Sequence, residues 1–128
     1  MKDKKFLIRI KRSPKDIINF LLNPQNTPLW IESIVKEEAK PYPPVVGTIY
    51  RNQDMSGKWN SYKVVRIKEN KMFEFASNDG NYHVRYDFKK VGDKSTELTY
   101  FEWVEKGKLD EPFSIDVLER LKAVIEDI

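Results

Sequence analysis

Residues 6–11, "FLIRIK", alternate: Phe6, Ile8 and Ile10 fall on one side, Leu7, Arg9 and Lys11 on the other. That period of two is the mark of a half-buried strand. "SPKD" follows. Ser13 suits a helix N-cap, Pro14 the first helical position, and Asp16 a returned capping bond three residues on. "IINFLL" then predicts a helix apolar on one side. "NP" at 23–24 ends it, because the residue before a proline avoids helical angles. "PQNTPLW" predicts a second short turn or helix, kept short by Pro24 and Pro28 and closed by Trp30. The opening thus reads as a strand and a helix–break–helix clip.

From Trp30 to about residue 106 the pattern predicts strands only. "WIESIVKEEA" reads as a strand with some irregularity, and "PYPP" at 41–44 as a stiff loop. "VVGTIYRNQ" is a strand opened by Gly47, and "MSGK" turns into "WNSYKVVRIK". "EN" at 69–70 turns into "KMFEFAS". "NDGN" at 78–81 is a strong hairpin signal. Beyond it Tyr82, Val84, Tyr86 and Phe88 alternate with His83, Arg85, Asp87 and Lys89. "GDKS" turns once more, into "TELTYFEWVEK". Consecutive strands joined by short turns make an antiparallel sheet.

The end of the chain changes period. In "DEPFSIDVLERLKAVIEDI" the residues Val117, Leu118, Leu121, Val124, Ile125 and Ile128 share one helical face, and Asp110, Glu111 and Pro112 supply a start. A helix of about 16 residues would span roughly 24 Å, enough to cross a sheet. Such a face must be buried against the strands. A strongly curved sheet wrapped around one helix leaves a space near their contact. The expected architecture is α+β, with about seven antiparallel strands and a long C-terminal helix in one domain, 1–128.

Composition narrows the chemistry. There is no cysteine, which removes disulfides, thiolate metal sites and thiol nucleophiles together. The N-terminus has no apolar stretch long enough for a signal peptide, and no segment approaches a membrane span. The chain is therefore expected to be cytoplasmic. Its 23 basic and 20 acidic residues give a net charge of +3 and a pI near 9.0. The lysines are scattered among acids, as on a solvated mixed-charge surface, and nucleic acid is not an expected partner.

The order of elements carries a resemblance. "IRIKRSPKDIINFLLNPQNTPLW", "VVGTIY" in mid-chain, "STELTY" near the last strand and "LERLKAVIEDI" at the end resemble the START/Bet v 1-like (SRPBCC) superfamily. The nearest likeness is to small bacterial members of its polyketide cyclase/dehydrase branch, and it covers nearly the whole chain. The resemblance implies a helix-grip fold with an apolar cavity between the sheet and the final helix. Its members bind or carry lipids and hormones, and a few are cyclases. It implies too that the clip plugs one end of the sheet, with Trp30 where clip and sheet meet; as a large aromatic, Trp30 also reads simply as core.

Catalytic signatures are missing. His83 is the single histidine and falls on the outward polar face, an ordinary place for one. No nucleophile elbow or phosphate loop is present. A metal site would have to rest on carboxylates alone, so neither metal nor cofactor is expected. Glu102 lies in "TYFEWVE", where both faces carry large apolar groups. If Leu98, Tyr100 and Val104 face inward, Glu102 joins them beside the cavity as acid, base or anchor, with Arg51 a candidate partner. If Thr99, Phe101 and Trp103 do, it is a surface charge, the commoner setting for an acid beside aromatics.

Three Trp, six Tyr and seven Phe are the most informative group. Tyrosines suit pockets because each offers a flat apolar body and one polar tip. Bulky rings could equally fill the cavity. The candidate ligand-binding residues are Trp30, Tyr50, Tyr62, Phe75, Tyr86, Phe88, Tyr100, Glu102 and Leu121, with no catalytic residue assigned. The first expectation is a domain holding a small apolar or amphipathic ligand, lipid-like or aromatic. Its rivals are an interaction module with a filled cavity, binding a protein partner or a second copy, and a cyclase- or dehydratase-type enzyme.

Overall fold

A computed structural model describes residues 2–109 and 113–128. Strand β1 (Asp3–Ile10) leads into helices α1 (Pro14–Leu22) and α2 (Thr27–Trp30). Six strands follow: β2 (Ile34–Lys40), β3 (Ile49–Asp54), β4 (Trp59–Lys68), β5 (Met72–Ser77), β6 (Tyr82–Gly92) and β7 (Ser95–Val104). Helix α3 (Ile115–Glu126) ends the chain. The strands form one antiparallel sheet in the order β1-β7-β6-β5-β4-β3-β2, so the first strand returns to pair with the last.

Local signals explain most boundaries. The Ser13 hydroxyl accepts from the Asp16 N–H at 3.2 Å, which starts α1. Asn23 stops it in extended geometry. The break is then fixed by side chains: Asn23 Oδ1 accepts from the Gln25 N–H, and Asn26 Nδ2 donates to the Phe20 carbonyl. Gly80, at φ +75, takes the left-handed position of the "NDGN" turn, which side chains with a Cβ rarely adopt.

Two expectations need correction. The strand expected from Trp30 begins only at Ile34, because the Ile31 N–H bonds to the Thr27 carbonyl and closes α2 instead. The final helix is also shorter than its apolar period suggested. It begins at Ile115, and its expected start at Asp110, Glu111 and Pro112 lies outside the described residues. At its other end Ile128, placed by period on the apolar face, is 78% exposed, because the helix stops at Glu126.

Helix α3 is a core element. Leu118, Leu121 and Ile125 are buried with Ile10, Ile17 and Leu98. Its C-terminal end is held by β1 and the residues just after it. Arg12 donates to the carbonyls of Glu126 at 2.7 Å and Ile128 at 3.0 Å, a cation on an orphan helix terminus, and Lys122 reaches the Arg9 carbonyl. Among the described residues, no helix is long and apolar enough to cross a membrane.

Candidate functional site

A cavity of about 420 Å³ opens on the concave face of the sheet. One wall is the clip, through Leu21, Thr27 and Trp30. The other is the inner face of β2 to β7, and Phe113, just before α3, closes one side. No described residue of α3 lines it. The space expected between sheet and final helix is therefore displaced toward the clip. The reason is packing: Leu118, Leu121 and Ile125 fill the region under α3 as part of the buried core.

The candidate residues divide accordingly. Trp30, Tyr50, Tyr62, Phe75, Tyr86, Tyr100 and Glu102 all reach the cavity wall. Phe88 and Leu121 do not. Phe88 packs tilted on Phe73 with centroids 5.7 Å apart, and Leu121 is fully buried on the inner face of α3. Trp30 fits both expectations at once: it is core, 3% exposed, and also wall. The rings fill part of the space, with Phe73 stacked on Tyr86 at 4.7 Å, and still leave it open.

Glu102 faces inward, against the expectation that favoured a surface charge. Along β7 the burial alternates from Thr96 through Leu98, Tyr100 and Glu102 to Val104, and Glu102 is 1% exposed. Three donors hold it. Tyr82 Oη and Tyr100 Oη donate to Oε2 at 2.6 and 2.8 Å, and the Phe113 N–H donates to Oε1 at 2.9 Å. Phe113 in turn stacks on Tyr100 and meets Trp30 edge-on. The candidate partner Arg51 is on the other face of the sheet, paired with Glu38 at 2.9 Å and lying 4.7 Å over the Trp59 ring. His83 is on that outer face, as its alternation implies, but it is packed rather than free, stacked on Trp103 at 4.8 Å.

The opposite end of the cavity holds a residue that alternation concealed. Glu37 projects inward from β2, opposite Asn52 of β3, which is opposite Asn60 of β4. Thr27 Oγ1 donates to Glu37 Oε1 at 2.6 Å, and Asn52 Nδ2 reaches Oε2 at 3.4 Å. Burial raises the pKa of the Glu37 carboxyl to about 7, against the pull of these two hydrogen bonds. Burial likewise raises Tyr50, Tyr62, Tyr82, Tyr86 and Tyr100. Glu37 adds to the rise at Tyr50, Tyr62 and Tyr86, and Glu102 at Tyr82, Tyr86 and Tyr100. The phenols are thus neutral at any ordinary pH, and the cavity runs between two carboxyl ends over aromatic walls.

Glu37 carries a pH prediction. Its folded pKa lies above the ordinary 4.5, so the folded chain holds more protons than the unfolded one between pH 4.5 and about 7. Stability contributed by this group therefore falls as pH rises through that window. Glu37→Gln, which keeps an acceptor for Thr27, should match the wild type near pH 4 and exceed it at pH 8 by about 1–3 kcal/mol. Urea unfolding at both pH values measures this, and a difference that stays constant with pH would contradict the assignment.

The fold is shared with solved structures. One is a START superfamily protein from Mycobacterium smegmatis, at TM-score 0.71 and 17% identity, covering 99% of this chain and 96% of that one. The chain has a START-like fold. The same fold is seen in the Aha1 dimer from Colwellia psychrerythraea, at TM-score 0.74 and 18% identity over 98% of this chain and 97% of that one. A conserved protein of unknown function from Enterococcus faecalis matches at TM-score 0.76 and 19% identity, over 97% of this chain and 71% of that one. Identities this low establish a START-like architecture and leave function to the site. No family model matches the chain, and no curated protein matches it.

Proposed function

We propose that the chain binds a small amphipathic ligand, with an aromatic or lipid-like body, in the cavity between the clip and the concave face of the START-like sheet. The observation that carries this reading is the open volume of about 420 Å³ walled by Trp30, Tyr50, Tyr62, Phe75 and Tyr86. It lies within the usual range for ligand sites, and flat apolar walls with a few polar groups are their usual chemistry. The open space favours a small molecule over an interaction module with a filled cavity. Glu102, held by three donors, is committed to structure, which weighs against a paired-acid enzyme. A cytoplasmic setting fits a chain that has no cysteine.

Native mass spectrometry of the purified protein, set against its denatured mass, should reveal a non-covalent small-molecule adduct. Val84, a wall residue between Tyr82 and Tyr86 on β6, provides the control. Val84→Phe fills the space and should abolish both the adduct and binding of the uncharged fluorophore N-phenyl-1-naphthylamine, while circular dichroism stays unchanged. An unaltered adduct in a folded Val84→Phe protein would place the ligand elsewhere.

A further inference from the structure

The walls of the cavity are one-sided in charge. Among the described residues, no lysine, arginine or histidine lines it, whereas Glu37, Asp54 and Glu102 do. Several donors of the wall are committed inside the protein. Tyr82 and Tyr100 give their protons to Glu102, Thr27 to Glu37, and Tyr50 to the Leu22 carbonyl at 2.7 Å. What faces the space is therefore acidic and aromatic, and such donors as remain, the unpartnered Trp30 Nε1 among them, are uncharged.

The three carboxylates are not equivalent. Glu102 is saturated by its three donors. Asp54 is bound into its own turn by the Ser56 N–H and hydroxyl and the Lys58 N–H. Glu37 has one short bond and one long contact and, among the described residues, no cation at either oxygen. It is a desolvated carboxylate short of a counter-charge.

We propose that the occupant of the cavity is an organic cation, an aromatic or alicyclic body bearing a protonated amine, seated with its ammonium group against Glu37. The proposal rests on the small-ligand reading above and names the ligand's class. An ammonium group supplies what the described wall lacks, a positive charge. The faces of Tyr50, Tyr62 and Phe75 add quadrupole attraction for the same charge. A carboxylate or phosphate ligand would meet Glu37 with no cation to pair with. A purely neutral ligand would leave Glu37 to hold its proton up to about pH 7 and would gain nothing from its charge. The raised pKa of Glu37 agrees with this, since a bound cation would draw it down and expel a proton near neutral pH.

The test is isothermal titration of the full chain with three probes of one shape: 2-naphthylmethylamine, 2-naphthylmethanol and 2-naphthoate. At pH 8 the ammonium form should bind at least tenfold more tightly than the alcohol, with the carboxylate weakest. In Glu37→Gln this preference should shrink to within about threefold. A second reading needs only the wild type. At pH 6.5 the heat of amine binding should vary with the buffer's ionisation enthalpy, as proton release requires. Alcohol or carboxylate binding as tightly as the amine, or no proton release, overturns the cation assignment and leaves the small-ligand reading standing. Failure of all three probes and of N-phenyl-1-naphthylamine to bind overturns both.

Discussion

Glu102→Leu should destabilise the protein by about 3 kcal/mol, roughly a 10 °C fall in Tm. The substitution removes one acceptor group and strands three donors. Tyr100, fully buried, loses the partner of its hydroxyl, and the half-buried Phe113 N–H loses its own. Tyr82 is only partly buried and can turn toward the open cavity, so it contributes least. Removing a buried carboxylate also relieves desolvation, which keeps the loss below the sum of three stranded donors. A double-mutant cycle separates these terms. Tyr100→Phe should cost about 1–2 kcal/mol in the wild type and close to nothing in the Glu102→Leu background. Guanidinium unfolding of the four proteins decides it. Equal costs of Tyr100→Phe in both backgrounds would mean that the carboxylate and phenol do not act as a unit.

The same interaction orders the segment before α3. Phe113 is a wall of the cavity because its N–H is fixed to Glu102 and its ring lies on Tyr100. Nothing in "DEPFS" distinguishes Phe113 from an ordinary residue at a helix start, and it was not among the expected site residues. Its role follows from a contact eleven residues away, which no local period encodes.

Where one face of a strand was clearly polar, its inner side could be read from the chain. β6 is the case: Val84, Tyr86 and Phe88 are buried as their alternation with Arg85, Asp87 and Lys89 implied. β7 could not be read in this way, since Phe101 and Trp103 are as apolar as Tyr100 and Leu98. The tie is broken by register, which sets Tyr100 against Tyr86 and Glu102 against Val84, already committed inward. Glu37 was hidden by a different cause. In unbroken alternation it would share a face with Val35 and oppose Ile34. The register slip between Ile34 and Lys36 reverses that parity, leaving Val35 half exposed and turning Glu37 inward with Ile34. A bulge of this kind has no hydrophobic signature. The Arg51 pairing failed for the related reason that its face depends on β3 register, which turns Arg51 toward Glu38.

Leu121→Ala should cost about 2–5 kcal/mol and leave the cavity's binding of N-phenyl-1-naphthylamine within twofold of the wild type. The two halves of this prediction test different claims. Leu121 is completely buried and sits between Leu118 and Ile125 in the cluster that joins α3 to β1, α1 and β7. Truncation leaves a void that rigid neighbours such as Ile10 and Ile17 fill poorly, so the loss belongs in the upper part of the range. The unfolding slope against denaturant should not change, because the surface exposed on unfolding is nearly the same. The binding half follows from geometry: the cavity is walled by the clip, the sheet and Phe113, while α3 stands behind a sealed layer of side chains. A large change in probe affinity would mean that α3 does reach the ligand, restoring the arrangement in which the final helix grips it. A loss under 1 kcal/mol would mean that α3 is only loosely docked. The expected combination, a large loss of stability with binding intact, would assign α3 to holding the sheet's curvature and the clip to shaping the site.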